Sequence, residues 1–161
     1  MFLTRPHQLW TSCDSNPYEV HKAIIQAQML SGRYPTDRLS RQWNPIGSSF
    51  CSIPSCNMSV IGCLKHYLLY CVALSDAREN AIKVLNSVCA ESQEARFILE
   101  KYMDRSNDEV VMQFLLECSQ FPEVIHLKQS GKACIVDRLF YVCRTWCYLI
   151  HITRTRKCSS T

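Results

Sequence analysis

Three cysteines and one histidine in the first half of the chain stand at spacings that a single metal ion can bring together. They are Cys51, Cys56, His66 and Cys71, in the pattern C-x4-C-x9-H-x4-C. Thiolate and imidazole are ligands that Zn²⁺ prefers, usually as a tetrahedral set of four. The pattern therefore predicts a zinc site, although its spacing is looser than that of the commonest zinc fingers.

The two halves of this pattern need different local structures. Pro54 and the neighbouring serines favour a tight turn between Cys51 and Cys56. His66 and Cys71 are expected on a short helix whose apolar face is formed by Leu64, Leu68 and Leu69. Residues five apart lie about 140° from alignment on an α-helix, so Cys71 reaches the metal only if the helix ends there.

Other interpretations of the cysteines stay open. Free cysteine packs as a small hydrophobic residue, so the four side chains can equally be buried thiols and a core histidine. Cys63 lies three residues before His66 on the same helical face and can take the place of Cys56. A second set is formed by Cys118, Cys134, Cys143 and Cys147, which we interpret as thiols of the helix core rather than as metal ligands.

Length and composition describe one domain, or one domain with a small appended finger. The chain has 161 residues, of which 47% are hydrophobic, enough for a core. Its eleven cysteines are an odd number, and no secretory signal or membrane span is evident. We therefore expect a reducing compartment, nuclear or cytoplasmic, rather than secretion.

Positive charge is concentrated at the two ends of the chain. Residues 76–130 carry ten acidic and six basic side chains, whereas residues 131–161 carry one acidic and six basic. Arg33, Arg38 and Arg41 alternate with Tyr34 and Trp43, a composition typical of surfaces that bind phosphates and stack on bases. These arginines and Lys65 are the candidate nucleic-acid contacts. The alternative is a connector with solvated arginines and with Trp43 packed under the finger.

Hydrophobic periodicity predicts an all-α protein, a small helical bundle with an inserted zinc-knuckle-like loop and helix. The predicted segments are a poorly ordered leader at 1–15 with Trp10 and Cys13 as anchors, a helix and basic connector at 16–45, the knuckle at 46–75, a helical region at 76–152, and a basic tail at 153–161.

Several helix boundaries follow from capping residues. Asn16 and Pro17 are expected to begin the first long helix, with Glu19 closing on the cap and Gly32 ending it. Its predicted apolar face contains Val20, Ala23, Ile24, Ala27 and Leu30. Ser75 is expected to cap the next helical region, with a break near residues 90–92. Pro122 and Gly131 bound a later short helix.

Motifs for catalysis are missing from the sequence. It has no glycine-rich phosphate loop, no G-x-S-x-G nucleophile motif, and no adjacent aspartate pair to hold two metal ions. We therefore expect a protein that is not an enzyme, without a small-molecule substrate or a membrane partner.

Longer runs of residues resemble one family. The run from Tyr18 to Tyr34, the cysteine and histidine cluster, and the runs 68–78, 112–119 and 139–148 resemble the C-terminal part of the reverse transcriptase polyproteins of non-LTR (LINE-type) retrotransposons. The resemblance covers residues 17–152. It departs from the family at Val72, where the family usually has proline directly after the last cysteine.

This resemblance implies a zinc-binding (CCHC-like) terminal domain that contacts RNA or DNA during target-primed reverse transcription. The ligands would be Cys51, Cys56, His66 and Cys71, with Cys63 at a non-ligand position. The chain has no polymerase or endonuclease region, so it is expected to be a fragment without polymerase activity of its own. The alternative is a metal-free helical scaffold, or a decayed retroelement remnant with no selected activity.

Overall fold

The computed structural model describes residues 8–13, 16–44 and 46–160 and is all-α, as predicted. Eight α-helices are seen in these ranges, and short π- and 3₁₀-helical turns connect some of them. The α-helices are α1 (Gln8–Thr11), α2 (Pro17–Leu30), α3 (Asp37–Trp43), α4 (Ser75–Glu91), α5 (Gln93–Tyr102), α6 (Asp108–Glu117), α7 (Pro122–Gln129) and α8 (Ala133–Ser159). The described residues contain no β-strand, only an isolated antiparallel bridge between Phe50 and Ile61.

Helix α8 is the central element, and α2, α4, α5, α6 and α7 all pack against it. In the sequence, helical spacing predicts one apolar face for the last helix, with Ile135, Val136, Leu139, Phe140, Cys143, Trp146, Cys147 and Ile150. All of these residues are buried in α8 except Ile135, which is half-buried. The helix also continues to Ser159, through most of the segment expected to be a tail. None of the described helices, α8 included, has the length and apolarity needed to cross a bilayer.

Two hydrophobic clusters share the length of α8. One surrounds the short helix at residues 66–70 and uses Trp146, Cys147 and Ile150. The other fills the space among α5, α6, α7 and the first half of α8, with Phe114 and Phe140 fully buried. The knuckle therefore rests on one end of a helical body that has a core of its own.

The start of α2 agrees with its capping prediction, but its buried face agrees only in part. The Asn16 side chain accepts a hydrogen bond from the Tyr18 N–H, as an N-cap does. Ala23 is buried as predicted and Val20 and Ala27 are half-buried against the core, but Ile24 and Leu30 are exposed. The other buried positions, Lys22, Ile25, Gln26 and Met29, were not predicted. The helix is thus rotated from the predicted face, because polar Lys22 and Gln26 find buried partners.

The hydrogen-bond partners of Lys22 and Gln26 explain why α2 buries a different face. The Lys22 ammonium lies 2.8 Å from Glu19, which also pairs with buried Arg144 of α8 and so does not close on the cap. The Gln26 amide donates to the Leu115 carbonyl at 2.7 Å and to the Leu116 carbonyl at 3.2 Å, at the end of α6. Periodicity of apolar residues alone gives no sign of either contact.

Two other boundary predictions have different outcomes. The break near residue 92 is confirmed, because α4 ends at Glu91 and the Ser92 hydroxyl accepts from the Ala95 N–H to begin α5. Ser75 is not a cap: its hydroxyl donates back to the Val72 carbonyl, inside a 3₁₀ turn that precedes α4.

In the leader, Leu9 and Cys13 are buried while Trp10 is exposed, so the predicted anchor Trp10 is wrong and Cys13 is confirmed. The rest of that leader call, on residues 1–7 and 14–15, lies outside the described residues.

Replacing Gln26 by leucine should destabilise the fold by about 2 kcal/mol, because the buried Leu115 carbonyl and the partly buried Leu116 carbonyl lose their donor. Urea unfolding of the purified chain measures this change. Gln28→Leu, on the exposed face of the same helix, is the matched control and should change stability by less than about 0.5 kcal/mol. Equal effects of the two substitutions would contradict the assigned role of Gln26.

Candidate metal centre

The four residues of the C-x4-C-x9-H-x4-C pattern converge on one point. Their ligand atoms all lie within 4.8 Å of one another, so together they can hold a metal ion. The Sγ atoms of Cys51 and Cys71 are 3.9 Å apart, and Cys56 Sγ is 3.5 Å from His66 Nε2. Cys63 is not part of this group, and lies instead in the wall of a neighbouring cleft.

A tight turn supplies the first two side chains, as the sequence predicted. The Cys56 N–H donates to the Ile53 carbonyl at 3.0 Å, with Pro54 at the second turn position. Ser55 follows with φ 72°, the left-handed conformation that a type II turn requires at its third position. This turn folds Cys51 and Cys56 to the same side of the loop.

A π-helical turn at residues 66–70 positions the side chains of His66 and Cys71. The Cys71 N–H donates to the His66 carbonyl at 2.7 Å, an i to i+5 hydrogen bond that winds the backbone more widely than an α-helix does. This wider turn brings positions five apart closer to alignment. The helix then ends at Cys71, whose ψ of 114° is not helical, although valine and not proline follows it.

Tertiary hydrogen bonds satisfy the carbonyls of this turn. The buried Arg78 guanidinium donates to the Cys71 carbonyl at 2.6 Å and to the Tyr67 carbonyl at 3.4 Å. The Trp146 indole N–H of α8 donates to the Leu68 carbonyl at 3.3 Å. Since unpaired buried carbonyls are costly, α4 and α8 together stabilise a backbone conformation that the sequence from 66 to 70 would rarely adopt alone.

Asp37, at the start of α3, links the two halves of the centre. Its carboxylate accepts from the Ser52 N–H at 2.8 Å and from the Ser52 hydroxyl at 2.7 Å, next to Cys51. It also accepts from the Tyr67 hydroxyl at 2.7 Å, next to His66. One carboxylate therefore fixes the loop and the π-turn relative to each other.

Gly62 leaves the space that this contact needs. A Cβ atom at position 62 would lie 2.7 Å from the Tyr67 hydroxyl oxygen and 2.8 Å from the Asp37 Cβ, closer than real Cβ atoms approach. Arg154 of α8 lies with its guanidinium 4.8 Å from the centre of the Tyr67 ring and 3.9 Å from the Asp37 carboxylate. The hydrogen bond between Asp37 and Tyr67 is thus packed against Gly62 and against Arg154.

Burial sets the protonation state of the donors. It raises the pKa of the Cys51 and Cys71 thiols, so both are protonated at neutral pH when no metal is bound. Burial, helped by the charge of Arg78, lowers the pKa of His66 and keeps its ring neutral, the form that ligates metals. Metal uptake must therefore release thiol protons and weaken as the pH falls.

The candidate nucleic-acid residues lie around α3 and beside the knuckle. Arg33, Arg38 and Arg41 are exposed, and Arg41 donates to the Ser49 hydroxyl at 3.2 Å. Lys65 is partly buried and forms ion pairs with Glu109 at 2.7 Å and with Asp108 at 3.8 Å. The three arginines are thus open to a ligand, whereas the charge of Lys65 is largely neutralised by its neighbours.

The two aromatic residues of this stretch have opposite surroundings. Tyr34 is buried against His151, so it is not available for stacking. Trp43 is 84% exposed, which overturns the alternative that it packs under the finger. Of the second cysteine set, Cys118, Cys143 and Cys147 are buried in the core, as predicted, whereas Cys134 is exposed and is not a core thiol.

Sequence reasoning missed the residues that support the centre, among them Asp37, Gly62, Tyr67, Arg78 and Arg154. Two weak signals existed. Gly62 is one of only four glycines in the chain. Thr36 and Asp37 also form a helix start, and the Thr36 side chain does accept from the Leu39 N–H. Neither signal indicates that Asp37 reaches both halves of the pattern.

Comparisons with family models, with curated proteins and with solved structures found no match to this chain. What the centre does is therefore inferred from its geometry.

Replacing Asp37 by asparagine should weaken metal binding about tenfold, because the amide cannot accept all the hydrogen bonds from Ser52 and Tyr67. Titration with Co²⁺, whose absorption spectrum reports thiolate coordination, measures the affinity. Asp76→Asn is the matched control, since Asp76 is exposed in the first turn of α4. An unchanged Co²⁺ affinity in Asp37→Asn would show that Asp37 does not position the ligands.

Proposed function

We propose that Cys51, Cys56, His66 and Cys71 bind Zn²⁺ as a structural ion, and that the knuckle thus formed presents the basic helix α3 to nucleic acid. The observation that carries the zinc proposal is the spacing of the donors. Zinc bonds of about 2.3 Å to sulfur and about 2.0 Å to nitrogen require, in a tetrahedron, about 3.8 Å between sulfurs and about 3.5 Å from sulfur to nitrogen. The Cys51 and Cys71 sulfurs are 3.9 Å apart, Cys56 Sγ is 3.5 Å from His66 Nε2, and every pair of the four donors lies within 4.8 Å.

The composition of the knuckle loop also supports a structural metal. Within residues 46–62, only Ile53 has a buried apolar side chain. Fixing the backbone of each residue costs about 1–2 kcal/mol, which one buried isoleucine cannot offset. A metal crosslink supplies the missing free energy, as it does in other small zinc modules.

Charge and exposure on α3 support the nucleic-acid proposal. Arg38 and Arg41 are one turn apart and line the same shallow depression, with Ser49 and Ile61 on its other side. Trp43 follows them with its ring open to solvent. Guanidinium groups suit the phosphates of a polyanion, and the exposed Trp43 ring, on another side of α3, is available to stack on a base.

The zinc centre and the resemblance of residues 17–152 together favour one class of protein. We propose that the chain is a terminal fragment of a non-LTR retrotransposon reverse transcriptase. The fragment binds RNA or DNA and has no polymerase activity by itself. The competing possibility is a helical scaffold or retroelement remnant without a metal and without selected activity. The following two experiments separate them.

The chain purified under reducing conditions should contain about one zinc per molecule, and His66→Ala should remove it and lower the melting temperature by more than about 5 °C. Elemental analysis and thermal unfolding measure the two effects. His126→Ala, at an exposed position on α7, is the control and should keep the zinc. A zinc-free chain with an unchanged melting curve would favour the metal-free scaffold.

Nucleic-acid binding should weaken steeply with salt, and the double variant Arg38→Ala/Arg41→Ala should reduce the slope of log K against log salt by about two, one unit for each lost phosphate contact. Fluorescence anisotropy with RNA and DNA oligonucleotides measures the slope. Arg96→Ala, which removes an exposed arginine of α5, is the control. Binding that is barely detectable and insensitive to salt would refute the proposed contact.

A further inference from the structure

A cleft beside α3 is large enough to hold a small ligand. It encloses about 460 Å³ between the end of α2, α3, the residues before the π-turn, and α6. Its size is within the range of small-ligand sites. The zinc centre does not use it, because the cleft is lined by Cys63 rather than by the four clustered donors.

The walls of this cleft are mainly apolar. Met29, Leu39, Leu64 and Met112 contribute aliphatic and thioether surface, which packs well against aromatic rings. Gln42 stands at the rim with an exposed side chain and can both donate and accept hydrogen bonds. Such a site favours a ligand with a flat apolar face and a polar edge, as a nucleobase has.

Two arginines, Arg38 and Arg41, lie at and next to the cleft. Arg38 and Gln42 line both this cleft and the adjoining depression that contains Arg41, so the two arginines form a path from its rim along α3. No ion pair to Arg38 or Arg41 is seen within the described ranges 8–13, 16–44 and 46–160. At the opposite rim, Lys65 pairs with both Glu109 and Asp108, so that side carries one net negative charge and the positive charge lies on the α3 side. The remaining charge on the α3 side suits an anion.

We infer that this cleft binds one unpaired base of a single-stranded nucleic acid whose flanking phosphates lie on Arg38 and Arg41. The inference rests on the proposed nucleic-acid contact and adds that the preferred ligand is single-stranded. A duplex can fill the cleft only by extruding a base, which costs a few kcal/mol. Single strands offer their bases without this cost and therefore bind more tightly.

Cys63 in the cleft wall makes this inference testable on the zinc-loaded full chain. N-Ethylmaleimide labelling, followed by peptide mass spectrometry, reports the reactivity of each cysteine. A single-stranded oligonucleotide should slow labelling of Cys63 about fivefold or more, whereas a duplex of the same sequence should not. Cys134, exposed at the start of α8, should react at an unchanged rate in both cases and serves as the internal control.

A charge change at the rim provides a second readout that does not depend on Cys63. Gln42→Glu should weaken single-strand binding at least about fivefold, since its carboxylate repels phosphates beside Arg38. Gln129→Glu, at an exposed position on α7, makes the same charge change elsewhere and should weaken it less than about twofold.

Three results overturn the inference. If salt-sensitive binding occurs with equal affinity for single strand and duplex and Cys63 stays reactive, the base cleft is wrong while the proposed function stands. If Gln42→Glu and Gln129→Glu have equal effects, the cleft is likewise excluded. If neither nucleic acid binds, the proposed function fails and the cleft fails with it.

Discussion

The hydrogen bond from the Cys71 N–H to the His66 carbonyl determines whether the four donor side chains meet at one point. An α-helical turn would point the two side chains apart, whereas the π-helical turn directs both toward the loop. A π-turn is uncommon, and here the Arg78 guanidinium and the Trp146 indole hold its carbonyls. The centre is therefore produced as much by α4 and α8 as by the four residues that form it.

The cluster of donors also depends on α3, through Asp37. The same carboxylate that joins Ser52 to Tyr67 lies in the first turn of the helix that carries Arg38 and Arg41. The position of the basic surface is thus tied to the integrity of the centre. In the function we propose, the metal acts as a structural support for the binding surface and takes no part in chemistry.

Sequence patterns predicted the elements well and the tertiary contacts poorly. Capping at Asn16, the break at Ser92 and the stripe on α8 are local signals, and all three are present in the structure. The buried face of α2 was predicted only in part, because Gln26 donates to the Leu115 carbonyl and the Lys22 ammonium lies 3.5 Å from the Thr145 hydroxyl, both far away in the sequence. The role of Asp37 was missed for the same reason, since no spacing rule relates it to Ser52 and Tyr67.

The scarcity of apolar burial in the knuckle loop has a consequence for how the molecule opens. The helical body has two hydrophobic clusters, whereas residues 46–62 place only Ile53 in the core. In the same loop, the backbone of Ser55 has the left-handed conformation, which is unfavourable for serine. Such a segment opens at lower free energy than the helices around it. Without a bound ion, amide hydrogens of the loop should exchange with solvent long before those of α8, so the protein has two cooperative units of unequal stability.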